Sequence, residues 1–297
     1  MTHICVCVCT YKRPSFLVRL LAEIGRQETG GLFTHSIVVV DNDCKQSAQS
    51  VVARFAETSA ISISYYVEPR QNIALARNKA VENASGGYIA FIDDDEFPTP
   101  QWLMTMLTAC GRYRAAGVVG PVKPFFKEQP PQWLVAGRFW ERPTYPTGFV
   151  IDWRKGRTNN VLFQHQLFVP GEPAFRSEFL TGEDQDFFRR MIDQGHVFVW
   201  CDEAVVYEEV PPVRWSRSFL LRRALLCGDI SNINPTVGIG DIAKSLVAVA
   251  IYTVVLPFAS LSGRSTAMNC LIKLAHHAGR LMAVAGIHPI KEPYVTE

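Results

Sequence analysis

The 297 residues carry almost no excess of either charge: 30 Lys and Arg stand against 28 Asp and Glu, a formal net charge of +2. That balance gives no field of the kind that gathers nucleic acid. Basic residues interleaved with aromatics are missing too, so nucleic acid is excluded as a partner. No charged segment followed by an apolar one opens the chain; residues 1–10 run directly into a strand pattern. That start, with eight cysteines, predicts a reducing, cytosolic compartment. No glycine lies between Thr10 and Ser15, so a Gly-rich phosphate loop does not follow the first strand. No Asp or Glu occurs over 242–291, although Lys244, Arg264, Lys273, Arg280 and Lys291 do. Internal repeats and low-complexity segments are also lacking.

What is present is enough apolar material, 48% of the chain, to bury one large α/β core with an appendage. Short apolar runs at 4–9, 37–40, 61–67, 88–92 and 118–122 alternate with helical patterns, which predicts a mostly parallel sheet with helices on both faces. Phe16, Leu17, Leu20, Leu21 and Ile24 share one helical face, and Asn72 is a good cap for a helix over 73–84. Cys5, Cys7 and Cys9 alternate with valines, so they share one strand face and read as small buried hydrophobes rather than metal ligands. From Pro121 to Pro146 six prolines interrupt an aromatic-rich stretch, read as an irregular insertion. Regular structure resumes at 160–169, in a helix at 183–194, and in strands at 197–200 and 205–207.

In such sheets ligands gather beyond the carboxyl ends of the strands, and those positions here are polar. Asp93, Asp94, Asp95 and Glu96 emerge together from the fourth apolar run. Clustered carboxylates raise one another's pKa, and a cation is the usual reason to assemble them. If strand geometry persists, Asp93 and Asp95 point the same way and suit one hard divalent ion. Thr10, Tyr11 and Arg13 follow the first strand and can line a base and ribose. Asp41 and Asp43 follow the second, where a carboxylate at Asp41 can accept from the imide N–H of uracil. Arg70 and Asn72 precede a helix N-terminus suited to an anion, with Arg77 one turn in. The plainer reading pairs Arg77 with a nearby acid such as Asp93 and leaves Arg13 as surface charge. Thr181, Gly182, Glu183, Asp184 and Asp186 open a further helix with more acids than capping needs, one of which can serve as a general base. Arg222 and Arg223 can clamp a diphosphate, or simply lie on a solvated helix.

These blocks, in this order over about residues 3 to 228, resemble the family 2 glycosyltransferases of GT-A fold, in particular bacterial succinoglycan-type exopolysaccharide glucosyltransferases. The resemblance implies that Asp41 reads uracil, that Asp93 contacts ribose or metal, that Asp95 binds Mg2+ or Mn2+, and that Asp184 is the catalytic base with Glu183 in support. It implies a UDP-sugar donor, UDP-glucose first, and a polyprenyl-linked oligosaccharide acceptor, with single-displacement inversion. Many relatives place a metal-binding His after the last core strand, where this chain reads Tyr207-Glu208-Glu209; a Glu substitutes there, or the position does not ligate. A sugar-phosphate nucleotidyltransferase would want the missing Gly-rich loop. A non-catalytic carbohydrate-binding protein would need neither the acids nor a base.

The expected division is a domain over 1–228, with a nucleotide-binding half over 1–122 and an acceptor half over 123–228, followed by a helical segment over 229–297. Residues 245–261 form an apolar run shorter than a spanning helix and interrupted by Pro257. Asn269, Lys273, His276 and Arg280 fall at helical spacing in an interfacial pattern, against the alternative of a packed core helix pair. Together they predict peripheral contact with the anionic inner face of the plasma membrane.

Overall fold

The computed structural model describes residues 1–179, 182–231 and 238–290; Thr181 and Lys291 lie outside them. In chain order the elements are β1 (Thr2–Thr10), α1 (Pro14–Gly25), β2 (Phe33–Asp41), α2 (Gln49–Thr58), β3 (Ile63–Val67), α3 (Ile73–Glu82), β4 (Tyr88–Ile92), β5 (Glu96–Pro98), α4 (Trp102–Tyr113) and β6 (Gly117–Val119). They continue with β7 (Val122–Phe125), α5 (Gln132–Gly137), β8 (Asn160–Gln164), α6 (Glu183–Asp193), β9 (Phe198–Trp200), β10 (Val206–Glu209), α7 (Arg217–Ile230), α8 (Ile239–Leu261) and α9 (Arg264–Val284).

Among the described residues a seven-stranded sheet runs in the order β3-β2-β1-β4-β8-β6-β9. Every neighbouring pair is parallel except those made by β8, which runs against both β4 and β6. Alternation along β1 sorts its side chains: Ile4, Val6 and Val8 pack with the apolar faces of α1 and α4, while Cys5 and Cys7 pack with Ala74, Ala76 and Ala80 of α3. The thiols are therefore small core residues, as their spacing predicts. With alanines opposite, they let α3 approach closely enough for Cys7 Sγ to lie 3.8 Å from the Ala80 carbonyl oxygen. The same face holds Phe163, Phe175, Phe187 and Phe188, which seat α6 on the sheet.

The strand expected over 118–122 is two strands. Gly120 and Pro121 separate β6 from β7, and the Pro121 carbonyl accepts from Val206 N and Asn160 Nδ2 instead of continuing the sheet. A Cβ on Gly120 would come within 2.4 Å of the Ala204 carbonyl oxygen.

The chain forms two compact units. One comprises Met1–Lys123 and Arg142–Glu208; the other comprises Pro124–Glu141 and the described residues from Glu209 onward. The second unit thus takes in the start of the Pro-rich stretch, because Leu134 and Trp140 share a core with Val210, Leu220 and Met268.

Within that second unit, two expectations about the tail need correction. Pro257 does not end the apolar helix: α8 is 23 residues long, enough by length and composition to cross a membrane, with a mean hydropathy of 2.0 in its most apolar window. Pro257 removes one helical hydrogen bond, the one an N–H there would give to the Thr253 carbonyl, and α8 runs on for four residues beyond it. The helix carrying Asn269, Lys273, His276 and Arg280 is also more enclosed than an interfacial helix. α9 packs against both α7 and α8. Gly228 and Gly279 make the α7–α9 crossing possible, since a Cβ on either would fall within about 2 Å of a facing backbone carbonyl. The exposed apolar face belongs to α8, where Val247, Ile251, Val254, Phe258 and Leu261 recur every three or four residues.

Candidate active site

The strand ends converge as the sequence predicts, through contacts that it did not specify. After β1, Lys12 takes a left-handed backbone conformation (φ 53°) and Pro14 opens α1, so the chain turns sharply. Arg13 then reaches the acids that follow β4. Its Nη1 lies 3.0 Å from Asp94 Oδ1 and 3.3 Å from Asp95 Oδ2, and Thr10 Oγ1 donates to Asp94 Oδ2 at 2.7 Å. Arg13 is therefore part of the carboxylate cluster rather than stray surface charge.

Asp93 diverges from its two neighbours. Strand geometry ends at Ile92 and a turn follows, closed by Glu96 N donating to the Asp93 carbonyl at 3.1 Å. The continued strand expected to aim Asp93 and Asp95 together is thus absent, although the two carboxylates stay near enough for Asp95 to raise the Asp93 carboxyl. Asp95 is paired with Arg13, whereas Asp93 Oδ1 lies 3.9 Å from Arg77 Nη2 on α3. The same buried guanidinium contacts Glu183 Oε1 at the start of α6. The pairing proposed for Arg77 holds, with a second carboxylate that the sequence did not suggest. Gly182, at φ +87°, turns the chain into α6 in a conformation that other residues rarely adopt.

Glu183 and Asp184 are set apart by burial. Glu183 is 3% exposed and its Oε2 has no hydrogen-bond partner among the described residues; burial pushes its carboxyl up against the pull of Arg77. Asp184 is half-buried and accepts from Gln185 N at 2.7 Å. Asp186 pairs with Arg190 and Arg176 and so braces the helix.

Asp41 is fully buried. Its oxygens accept from Asp43 N (3.0 Å), Ala48 N (2.8 Å) and Tyr65 Oη (2.9 Å), which fixes the loop carrying Asp43. Asn42 ties that loop to the next: it donates to the carbonyls of Glu68 and Arg70 and accepts from Asn72 N. Asn72 caps α3 through Leu75 N, as predicted. The Arg70 side chain is largely exposed, 3.7 Å from Glu68, and Tyr11 is half-buried. Arg222 and Arg223 belong to the second unit, exposed on α7, with Arg223 stacked over Trp140 at 4.6 Å.

Two groups in the cluster escaped the sequence reading. Arg142 pairs with Glu208, so this Glu, which lies within β10 rather than after the last strand, is held by a guanidinium. Asn159 Nδ2 donates to Glu96 Oε1 at 2.8 Å, and Glu96 Oε2 accepts from Asp93 N. Arg142 lies in an irregular, proline-broken stretch with no periodic signal. Asn159 precedes a strand; because β8 is antiparallel, its start rather than its end faces the carboxyl edge.

Among the described residues the local charge is unbalanced. Asp93, Asp94, Asp95, Glu96, Glu183 and Glu208 are answered by Arg13, Arg77 and Arg142. Burial, then repulsion from Asp95, pushes Asp93 up to about 6, although 45% of its side chain is exposed. The same two causes push Asp94 up to about 7 against the pull of Arg13. Burial and Asp93 raise Glu96 further. No three His, Cys, Asp or Glu side chains among the described residues form a ready metal centre. Hard carboxylate oxygens carrying surplus negative charge nevertheless suit a divalent cation.

The sequence profile described as Glycosyl transferase family 2 matches residues 5–175, more than half of the chain. The chain belongs to that family. This glycosyltransferase is 33% identical over 230 residues to the succinoglycan biosynthesis protein ExoM of Rhizobium meliloti (strain 1021), covering 76% of its own length and 73% of that protein's. It is 22% identical to a chondroitin synthase of Escherichia coli, matching 68% of its own length and 34% of that longer protein. Among solved structures it resembles the mannosyltransferase PcManGT of Pyrobaculum calidifontis, in complex with GDP-Man and Mn2+, with a TM-score of 0.61 at 18% identity, covering 94% and 86% of the two chains. It resembles residues 1–349 of S. aureus TarS, in complex with UDP, with a TM-score of 0.53 at 15% identity, covering 98% and 93%. The glycosyltransferase has the GT-A fold.

Proposed function

We propose that this glycosyltransferase moves a hexose, glucose by preference, from a UDP-sugar to a lipid-linked saccharide during exopolysaccharide synthesis, with inversion at the anomeric carbon. The observation that carries the reading is the surplus of carboxylates beyond the end of β4, held by Thr10 and Arg13 from the end of β1 and joined through Arg77 to the Glu183-Asp184 pair. A donor diphosphate adds negative charge to a site already rich in it, so the reading includes a divalent cation, Mg2+ or Mn2+, held by Asp95 and Asp93. When bound, that cation would neutralise charge growing on the departing diphosphate. The mannosyltransferase solved in complex with Mn2+ and the succinoglycan biosynthesis relative support the cation and the pathway class.

The chain's own residues divide the remaining work. Asp43, on the loop fixed by Asp41, together with Tyr11 and the capped start of α3, would receive the nucleoside. Thr10 and Arg13 hold Asp94 and Asp95 in place. Glu183 is occupied by Arg77, which leaves Asp184 as the accessible carboxylate of its pair to take the acceptor hydroxyl proton while that oxygen attacks opposite the leaving UDP.

Localisation at the inner face of the plasma membrane is part of the reading. The exposed apolar face of α8 supports it, as do the basic residues between 242 and 291. The test of the whole reading is UDP release from UDP-glucose with Mn2+ and a polyprenyl-linked oligosaccharide, alongside a panel of other UDP-sugars. Turnover that needs both acceptor and cation supports it. Acceptor-independent binding without turnover of any donor would overturn it.

A further inference from the structure

Glu96 and Glu208 stand directly opposite each other where β5 pairs with β10, and both are buried. Side chains so placed share one face of the ladder with Cβ atoms roughly 4.5–5.5 Å apart, so two carboxylates there repel each other and call for a cation. Glu96 is met by neutral donors, Asn159 Nδ2 at 2.8 Å on one oxygen and Asp93 N at 3.3 Å on the other. Glu208 is met by the guanidinium of Arg142. Arg142 is the residue at which the chain re-enters the first unit, and Pro143 after it disfavours a helix there. Its side chain is largely buried. Its charge opposes the burial and the Asp93 repulsion that raise the Glu96 carboxyl and, with that of Arg77, the burial that raises Asp93. One fixed positive charge thus acts on both carboxylates of the ladder and on an acid assigned to the divalent cation.

We propose that Arg142 sets the affinity of the site for its divalent cation: by answering Glu208 and Glu96 it confines an incoming ion to Asp93 and Asp95 and weakens the pull that the ion feels. The inference rests on the cation in the reading above and names the residue that tunes it. A guanidinium offers no lone pair to a metal and does not lose its proton, so Arg142 is a permanent counter-charge rather than a ligand. It acts on the ion through the acids around it and is a positioning residue. Glu208, held by Arg142, is withheld from the ion, while Glu96 stays bound to Asn159 and to the backbone of Asp93.

The test is a titration of the full chain with Mn2+, with and without UDP, read as free Mn2+ by electron paramagnetic resonance. Arg142→Met is expected to bind Mn2+ about tenfold more tightly than wild type and Glu208→Gln about tenfold more weakly, while the double variant, which restores the wild-type charge, returns close to wild type. Arg142→Lys, which keeps the charge, should stay near wild type. Opposite signs in the two single variants set a charge effect apart from structural damage, which would weaken binding in both. Should Arg142→Met alone fail to fold, the double variant must still bind about tenfold more tightly than Glu208→Gln. Unchanged or weaker Mn2+ binding in folded Arg142→Met would overturn the proposal, as would a double variant no tighter than Glu208→Gln, which would make Glu208 a ligand. Weaker UDP binding by Arg142→Met without Mn2+ would put Arg142 on the donor and overturn it as well. A wild-type chain that binds UDP but no Mn2+ removes the cation reading together with this one; a wild type that binds Mn2+ no differently from Arg142→Met removes this one alone.

Discussion

Arg77 on α3 donates to the buried carboxylate of Glu183 on α6, 106 residues further along the chain. Its other terminal nitrogen lies 3.9 Å from Asp93. One guanidinium thus links the acids after β4 to the helix carrying the proposed base. Removing one member of a buried pair leaves the other charge unanswered, at a cost of about 3–5 kcal/mol. Arg77→Met is expected to lose that much stability in urea denaturation, and the double variant Arg77→Met with Glu183→Gln to recover a large part of it. A double variant no more stable than the single one would show that the pair is not the reason for the loss.

Asp184→Asn is expected to bind UDP and Mn2+ as wild type does while turnover falls by about 100-fold or more, the scale of a lost general base. Asn keeps the shape and the contact with Gln185 N but cannot take a proton. Steady-state rates at saturating UDP-sugar check it; near-wild-type turnover would remove Asp184 from the mechanism.

Asp95→Ala should abolish the Mn2+-dependent part of UDP binding in calorimetry, since it deletes a carboxylate proposed to bridge cation and donor. Asp43→Ala should weaken UDP binding by a similar factor with and without Mn2+, because its proposed partner is the nucleoside. Equal metal dependence in both variants would contradict that division.

The raised carboxyls make a pH prediction of definite sign. Asp93 and Asp94 hold their protons to about 6 and about 7 in the folded chain, against about 3.9 when unfolded. Between those values the folded state binds more protons than the unfolded one, so their contribution to stability falls as pH rises from about 4 to about 7. Metal-free protein should therefore lose less melting temperature over that window once Asp94→Asn removes one of the two groups. Mn2+ needs the deprotonated cluster, so its stabilising effect should grow as pH rises. A Mn2+ shift that is the same at pH 5 and pH 7.5 would disprove the assignment.

Val254→Glu with Phe258→Glu places charges on the exposed face of α8. The full-length double variant should stay in the supernatant when wild type sediments with anionic vesicles at low salt, because each apolar side chain withdrawn from the bilayer forfeits about 1.5–3 kcal/mol. Co-sedimentation of the variant at wild-type levels would show that this face does not meet the membrane.

The sequence by itself determined the strand and helix alternation of residues 1–122. Apolar runs of strand length, a proline opening α1 and an asparagine capping α3 each act locally, and the acids had to follow β4 because the run before them is apolar on both faces. Alternation alone also placed Cys5, Cys7 and Cys9 on one face of β1. What only the tertiary structure decided is which charge answers which. Arg13 takes Asp94 and Asp95, Arg77 takes Asp93 and Glu183, and Arg142 takes Glu208, over separations that no local pattern encodes. The position of Asn159 required knowing that β8 is antiparallel, since strand direction is a property of the pairing and not of the strand. The tail shows the same limit. Its composition marks an apolar, acid-poor helical segment, but α9 rather than α8 became the enclosed helix because Gly228 and Gly279 let α7 and α9 close on each other, a fit that exists only once both helices have formed.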